Sequence, residues 1–519
     1  MGAMSHGTNG NGNGNWKDSL LHKIKEKAAS SHGAVPASDT KETAVTFQTA
    51  EGMAFQTLPV RMTNHVVVFE LFNPGHIPRF SEVLENFKIT LKGQTIYSGR
   101  AIIIKIMDVG AKVVCEAKLD EAHWQDLDIP RILQQDGRVA KEFKTFLKEW
   151  QKLYKVSPEF KIVMADMQTF LHDLRLWLDR IELGIRVFAQ PLRKELELEA
   201  INSLTNPINE SIDVFIDRFE SIAAQLEEDM HPAHSVYLRR QLHPLILVSP
   251  FAHRAFSKPL GYAGDYEMVD MMLRSPHEGD TLFAKIINNW LLGQSPAQAH
   301  RNRVTYLERK LLEETLRART SGRACKIFNL GCGPADEVQN FYNKQPICEY
   351  TDFTLVDFNE ETLNSLQQKL ASISRSMPKP PSFRLLKKSV FQILRDGGKS
   401  LLTSPDERYN YIYCAGLFDY LSDTVCKQLL DIFYGMLAPD GLLLATNATD
   451  ALNSSRPFRY SMEYLLNWHL LYRDKRQFSK VAPDVEETDE IKVIAEGTGT
   501  NLFLEVRKSK HVRGAYQLE

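Results

Sequence analysis

Two glycines and one acid carry most of the chemistry legible in this chain. Cys325 to Leu330 is a short apolar run that reads as a strand, and it ends in Gly331-Cys332-Gly333, a turn whose glycines let backbone approach a ligand closely. Phe353 to Asp357 reads as the next strand and closes on an acid at the spacing where a carboxylate meets ribose hydroxyls. The pair points to a bound nucleoside. The turn continues Pro334-Ala335-Asp336-Glu337, placing two acids where a diphosphate would sit. Acids there repel phosphate and suit a ligand that carries a positive charge and an amino group.

That ligand description fits S-adenosylmethionine (SAM), and over residues 311–510 the chain resembles the class I SAM-dependent methyltransferases. Their first motif is a strand and glycine-rich turn, and their second ends in an acid. The resemblance implies an α/β Rossmann-like fold with a mostly parallel seven-stranded sheet, and the remaining elements follow in order. Tyr409 to Cys414 is a β-rich run, Leu429 to Leu437 has helical spacing, and the Ala438-Pro-Asp-Gly441 turn introduces an apolar strand to Asn447. Leu502 to Val506, after the Gly497-Thr-Gly499 turn, pairs with Ile491 to Ile494 as a terminal antiparallel hairpin. The cofactor contacts expected are Asn329, Gly331, Gly333, Pro334, Asp336, Asp357, Phe358, Ser389, Val390, Ala415 and Gly416, with no metal.

A narrower resemblance rests on Lys258-Pro-Leu-Gly-Tyr-Ala-Gly-Asp-Tyr-Glu-Met268, Arg301-Asn-Arg303, Gly416 to Leu421, and Trp468-His-Leu-Leu-Tyr-Arg473. Together these are similar to bacterial hydroxypalmitic acid methyl ester synthases, which implies O-methylation of a fatty-acid carboxyl. An N- or O-methyltransferase on another small metabolite, or a SAM-binding regulator with a sensory barrel, are the alternatives.

Within these motifs, Gly261-Tyr-Ala-Gly-Asp-Tyr266 places two tyrosines and an acid on a glycine-hinged turn, able to close over the methyl donor. Tyr262, Asp265, Tyr266 and His469 are the catalytic candidates. Arg301 and Arg303 each offer a bidentate partner to a carboxylate. Phe418, Asp419, Tyr420, Asn447 and Tyr472 are expected around the acceptor, because ligands of open α/β sheets sit beyond the carboxyl ends of the strands. The segment 468–473 is expected on a helix, with Trp468 and Tyr472 on one face and His469 and Arg473 on the adjacent one. A carboxylate acceptor is already ionised at neutral pH and needs positioning rather than a strong base, whereas an amine or hydroxyl would need one, from His469 or Asp419.

Composition narrows the setting. Lys plus Arg at 63 against Asp plus Glu at 65 leaves a formal charge of -2, which offers nucleic acid no general attraction. The six cysteines, 115, 325, 332, 348, 414 and 426, include no C-x-x-C pair and read as reduced core residues. The longest apolar stretches, such as Pro244 to Ala252, are far short of the roughly 20 residues of a membrane span. No secretory signal is visible, so a cytoplasmic enzyme is expected, with a small-molecule acceptor as partner and a homodimer left open.

The elements around this fold divide the chain further. Residues 1–40 read as a disordered tail, with Met1 to Met4 resembling a cloning scar and Asn9 to Asn15 too polar and glycine-rich to order by burial. Residues 41–127 alternate short β-branched runs, Val66 to Phe69, Phe87 to Leu91, Ile102 to Ile106 and Val113 to Ala117, between turns, which predicts a small β-barrel. The module resembles PilZ domains, which bind a cyclic dinucleotide through an arginine motif and a later serine and glycine motif. Arg61 is isolated and Asn73-Pro-Gly75 lacks the serine, so no dinucleotide is expected there. Residues 128–310 form a helical segment carrying the lid: Val139 to Tyr154 is amphipathic, Pro158 separates it from a helix through Trp177, and His231, His234 and His243 fall in a loop near Pro232 and Pro244.

Overall fold

The computed structural model describes residues 44–120 with short breaks at 64, 73–77, 92–93 and 109–111, then Trp124 and Lys144, residues 156–450 apart from 321, 403, 405 and 406, and residues 458–510 apart from 487 and 488. The expected tail and nearly all of the helix at 139–154 lie outside the described residues.

Alternating apolar residues build the first sheet. Its seven antiparallel strands, β1 (Ala44–Gln48), β2 (Ala54–Thr57), β3 (Pro59–Met62), β4 (Val66–Phe72), β5 (Val83–Leu91), β6 (Gln94–Asp108) and β7 (Lys112–Leu119), run in the order β2-β1-β5-β6-β7-β4-β3. Val45, Phe47, Val67, Phe69, Phe87, Ile89 and Tyr97 fill its concave side. The edge strands β2 and β3 are separated only by Leu58, so the sheet must curl until its edges meet. No β2–β3 ladder is present among the described residues, so the expected barrel is a strongly curled sheet rather than a closed one.

The helical segment begins where Ser157 caps Pro158–Arg186 by accepting from the Phe160 N–H, with Pro158 at the position that needs no donor. The loop expected around the three histidines is instead a helix, His231–Ile246. Pro232 lies in its first turn, where proline has no intrahelical donor to lose, and Pro244 lies in its last turn, where it removes one helix hydrogen bond. The histidines serve packing: His234 Nε2 accepts from the Ser157 N–H at 3.0 Å, and His243 Nε2 meets the Leu465 carbonyl at 3.0 Å.

The second sheet has the order β10-β9-β8-β11-β12-β14-β13. Five strands are parallel: β8 (Cys325–Leu330), β9 (Thr351–Asp357), β10 (Ser382–Lys387), β11 (Tyr409–Cys414) and β12 (Leu437–Ala448). β14 (Asn501–Arg507) runs antiparallel to β13 (Glu490–Ala495), as expected, and also to β12. Helices cover both faces, with Val390, Leu429 and Phe433 packed on one and Leu311, Val338, Phe341 and Leu366 on the other. All six cysteines are buried and unpaired. The Ala438 to Gly441 turn is absorbed into β12, where pairing with β11 jumps from Leu437 to Leu442 and Asp440 takes φ 62°. Among the described residues no helix is long and apolar enough to cross a membrane.

The segment 468–473 is extended, not helical. The helix Arg459–Leu465 stops where Asn467 turns left-handed at φ 51°. Beyond it the chain lies against the sheet end, the Leu471 N–H donating to the Asp419 carbonyl at 2.7 Å and the Arg473 N–H to that of Ala448 at 3.1 Å. In extended chain successive side chains point to opposite sides, which changes which of these residues meet the site.

Candidate functional site

Strands β8, β9 and β10 run outward from the sheet centre in one direction and β11 and β12 in the other, so the connections part between β8 and β11. A cavity of about 230 Å³ opens there, above the carboxyl ends of the strands. At the end of β8, the Gly331 and Cys332 N–H groups both donate to the Val356 carbonyl, at 2.8 and 3.0 Å. Gly331 takes φ 67° and Gly333 φ 52°, a backbone that disfavours any side chain. Asp357 joins this turn to the next: Oδ2 accepts from the Gly333 N–H at 3.1 Å and Oδ1 from the Asn359 N–H at 2.9 Å. Burial raises its pKa, against those donors, which favour the carboxylate.

Acceptor atoms gather beside the turn. Asn329 gives its amide N–H to Glu337 at 3.3 Å and leaves Oδ1 buried without a partner. Glu337 takes a second bond, 2.7 Å, from the Tyr413 hydroxyl. Asp336 Oδ2 is also buried and unpartnered, and burial, Asp270 and Glu337 push this carboxyl up to about 7. Arg303, also in the cavity lining, lies so close to the backbone after β11 that a β-carbon at Gly416 would stand 3.0 Å from Nη2 and 3.1 Å from Nη1. Its one hydrogen bond among the described residues goes to His300 Nδ1, at 2.8 Å, and no carboxylate lies within ion-pair distance. Burial and the two arginines hold His300 well below its ordinary pKa, so it is neutral, and its Nε2 has no partner. Arg303 thus shares the cavity lining with Asn329, Asp336 and Glu337.

The glycine-hinged loop forms the roof. Gly261 and Gly264 take φ 82° and 72°. Tyr262 meets Phe358 edge-on at 5.0 Å between ring centres, and burial followed by the nearby Asp357 drives its pKa up. Tyr266 reaches Glu361 at 2.9 Å. Tyr420 accepts from Trp468 Nε1 at 2.8 Å beneath the loop.

Of the residues singled out from sequence, Tyr262, Tyr266, Asn329, Gly331, Gly333, Pro334, Asp336, Asp357, Phe358, Val390, Ala415, Gly416, Arg303, Asp419, Tyr420 and Tyr472 line this one cavity. Six do not. Asp265 is engaged behind the roof as a helix cap and as the partner of Arg254 at 2.9 Å. Arg301 binds the carbonyls of Met272 and Leu292, Ser389 caps the helix Val390–Asp396, and Phe418 is core. Asn447 is held by Arg473 and the Leu471 carbonyl. His469 points away, because extended chain puts Trp468, Leu470 and Tyr472 on the cavity side and His469 on the other. Buried among Lys118, Lys258 and Arg239, it stays neutral.

Several lining residues went unseen. Trp468 sits in a motif quoted from the sequence without a role, and His300 precedes Arg303 by one helical turn, a findable signal. Phe458, Met462 and Leu470 add an apolar wall with no local signature. Arg79 and Phe80 arrive from the first sheet.

No family model matches the chain, and no curated protein does. Solved structures align in part. The possible exported protein from Bordetella parapertussis shares 16% identity over 50% of this chain and 86% of its own, with a TM-score of 0.38. Magnesium protoporphyrin IX methyltransferase (ChlM) from Synechocystis PCC 6803 with bound SAH shares 10% over 42% and 88%, TM-score 0.28. The N-methyltransferase NodS from Bradyrhizobium japonicum WM9 with S-adenosyl-L-homocysteine shares 17% over 47% and 97%, TM-score 0.27. At such scores the likeness carries no argument about activity.

Proposed function

We propose that the chain is a cytoplasmic SAM-dependent methyltransferase that esterifies the carboxylate of a small or fatty acid, with the donor site in residues 311–510 and the lid in 128–310. The observation that carries this reading is Asp357, its carboxylate held by the N–H groups of two loops at the mouth of the cavity. One carboxylate there can share the two hydroxyls of a ribose. The unpartnered Asn329 Oδ1 and Asp336 Oδ2 suit an ammonium. When bound, SAM supplies a methyl group activated by its sulfonium.

The chain's own residues then align and dry the reactants. Arg303, acted on by the buried Asp419 and Glu337 but within ion-pair distance of no carboxylate among the described residues, offers a bidentate partner to the acceptor's carboxylate. Phe458, Met462, Trp468 and Leu470 offer an apolar wall to the rest of that molecule. A carboxylate needs no base, which agrees with a neutral His300 and with His469 outside the cavity. Asp419 is the remaining candidate base, but it is committed to the Ala448 N–H. Tyr262 and Tyr266 on the hinged roof exclude water from the displacement.

The test is incubation with methyl-labelled SAM and a panel of straight-chain and hydroxylated carboxylic acids, followed by mass spectrometry. Base-labile labelled methyl esters are expected. Label recovered only in amines or ethers would replace the carboxylate reading, and no transfer to any acceptor in cell extract, with SAM still bound in a calorimetric titration, would favour a SAM-binding regulator.

A further inference from the structure

Arg79 belongs to the curled sheet yet lines the cavity of the other. It lies just before β5, and its guanidinium stacks 4.0 Å over the ring of Phe358, the residue that follows Asp357. Glu51, in the turn between β1 and β2, forms an ion pair with it, the Arg79 and Glu51 side chains being 11% and 15% exposed. The following residues fasten this stretch to the cavity wall. Ser81 Oγ accepts from the His469 N–H at 2.7 Å and donates to its carbonyl at 3.0 Å, while the Val83 N–H donates to the Gly261 carbonyl at 2.6 Å. The roof loop packs as closely: a β-carbon on Gly261 would stand 3.2 Å from that of Ala50.

We infer that Arg79 is a nucleoside-binding residue: its guanidinium plane packs against the purine of the methyl donor, so that the N-terminal sheet completes the cofactor site. This rests on the reading of the cavity as a SAM site. Phe358 follows Asp357 directly and lines the same cavity, so a base attached to a ribose held at Asp357 is within its reach, and Arg79 and Tyr262 are planar groups already packed on that ring. Purines stack on guanidinium planes as they do on aromatic rings. The ion pair with Glu51 holds the guanidinium in place, so Arg79 offers a fixed flat surface to a base. Arg79 is thereby a specificity residue for the donor, remote from the acceptor wall of Phe458 and Met462.

Calorimetric titration with S-adenosylhomocysteine, together with separate KM values for SAM and acceptor, tests this on the full chain. Arg79→Ala is expected to raise the Kd and the SAM KM about tenfold, the usual loss for one stacking partner, with the acceptor KM within about twofold. Ser81→Ala weakens the fastening without touching the cavity, and should lower Tm while leaving Kd within about twofold. Arg79→Lys, which keeps the charge and loses the plane, should bind nearly as weakly as alanine and stands in if Arg79→Ala fails to fold. Unchanged Kd in the arginine variants, or equal weakening by Ser81→Ala, would overturn the inference. Absence of binding by the wild type would instead remove the SAM reading itself.

Discussion

Gly264 and Tyr420 approach so closely that a β-carbon on the glycine would stand 3.1 Å from the tyrosine hydroxyl, which itself accepts from Trp468. The roof of the cavity is therefore seated on the segment that follows β11, at φ 72° where a side chain is strained. Gly264→Ala is expected to cost about 1 to 2 kcal/mol of stability from backbone strain and to lower kcat about tenfold by lifting the roof. Thermal unfolding and steady-state rates check both. A normal rate in a destabilised protein would make the loop a turn without a part in the reaction.

Asp336 gives stability a pH dependence. Its folded pKa is raised to about 7 from 3.8, with burial the first cause and Asp270 and Glu337 next. A raised acid binds more protons folded than unfolded, so its contribution is fully present below about 4 and is lost as pH rises toward 7. Asp336→Asn cannot ionise. Its Tm should therefore exceed that of the wild type at pH 8 by several degrees and converge with it at pH 4, a comparison scanning calorimetry makes directly. A difference that does not vary with pH would contradict the assignment.

The first sheet is expected not to bind a cyclic dinucleotide. Two phosphates ask for clustered arginines. Arg61 is 65% exposed and faces Glu116 at 3.9 Å, Arg100 pairs with Glu85 at 3.1 Å, and the charge of Arg79 is paired with Glu51. Titration of the full chain with cyclic di-GMP should show no saturation at micromolar concentration, and saturable binding there would assign the sheet a sensory role.

What the sequence disclosed was what lies close along the chain. The Gly331 turn and Asp357 are each set by a strand and the turn that follows it, so a strand pattern and two residue types suffice to find them. The helical reading of 468–473 failed because Trp468 and Tyr472 four residues apart fit a helix while Trp468, Leu470 and Tyr472 at two-residue steps fit extended chain, and the choice was made by Asn467 and by backbone bonds to Asp419 and Ala448. That one change moved His469 out of the site and Leu470 into it. Asp265 and Ser389 are capping residues, a role their position before a helix already allowed. Arg79 had no signal at all, since only the docking of one sheet on the other brings it to Phe358.

Calorimetric titration of S-adenosylhomocysteine into the wild type and Asp357→Ala puts the central claim to the most direct trial. The wild type should bind one equivalent, and the variant about ten- to a hundredfold more weakly, the loss of a charge-assisted pair of hydrogen bonds. Because Asp357 also ties Gly333 to Asn359, Tm is measured alongside to show that the variant is folded. Equal affinities in the two folded proteins, or no binding by the wild type, would contradict the account.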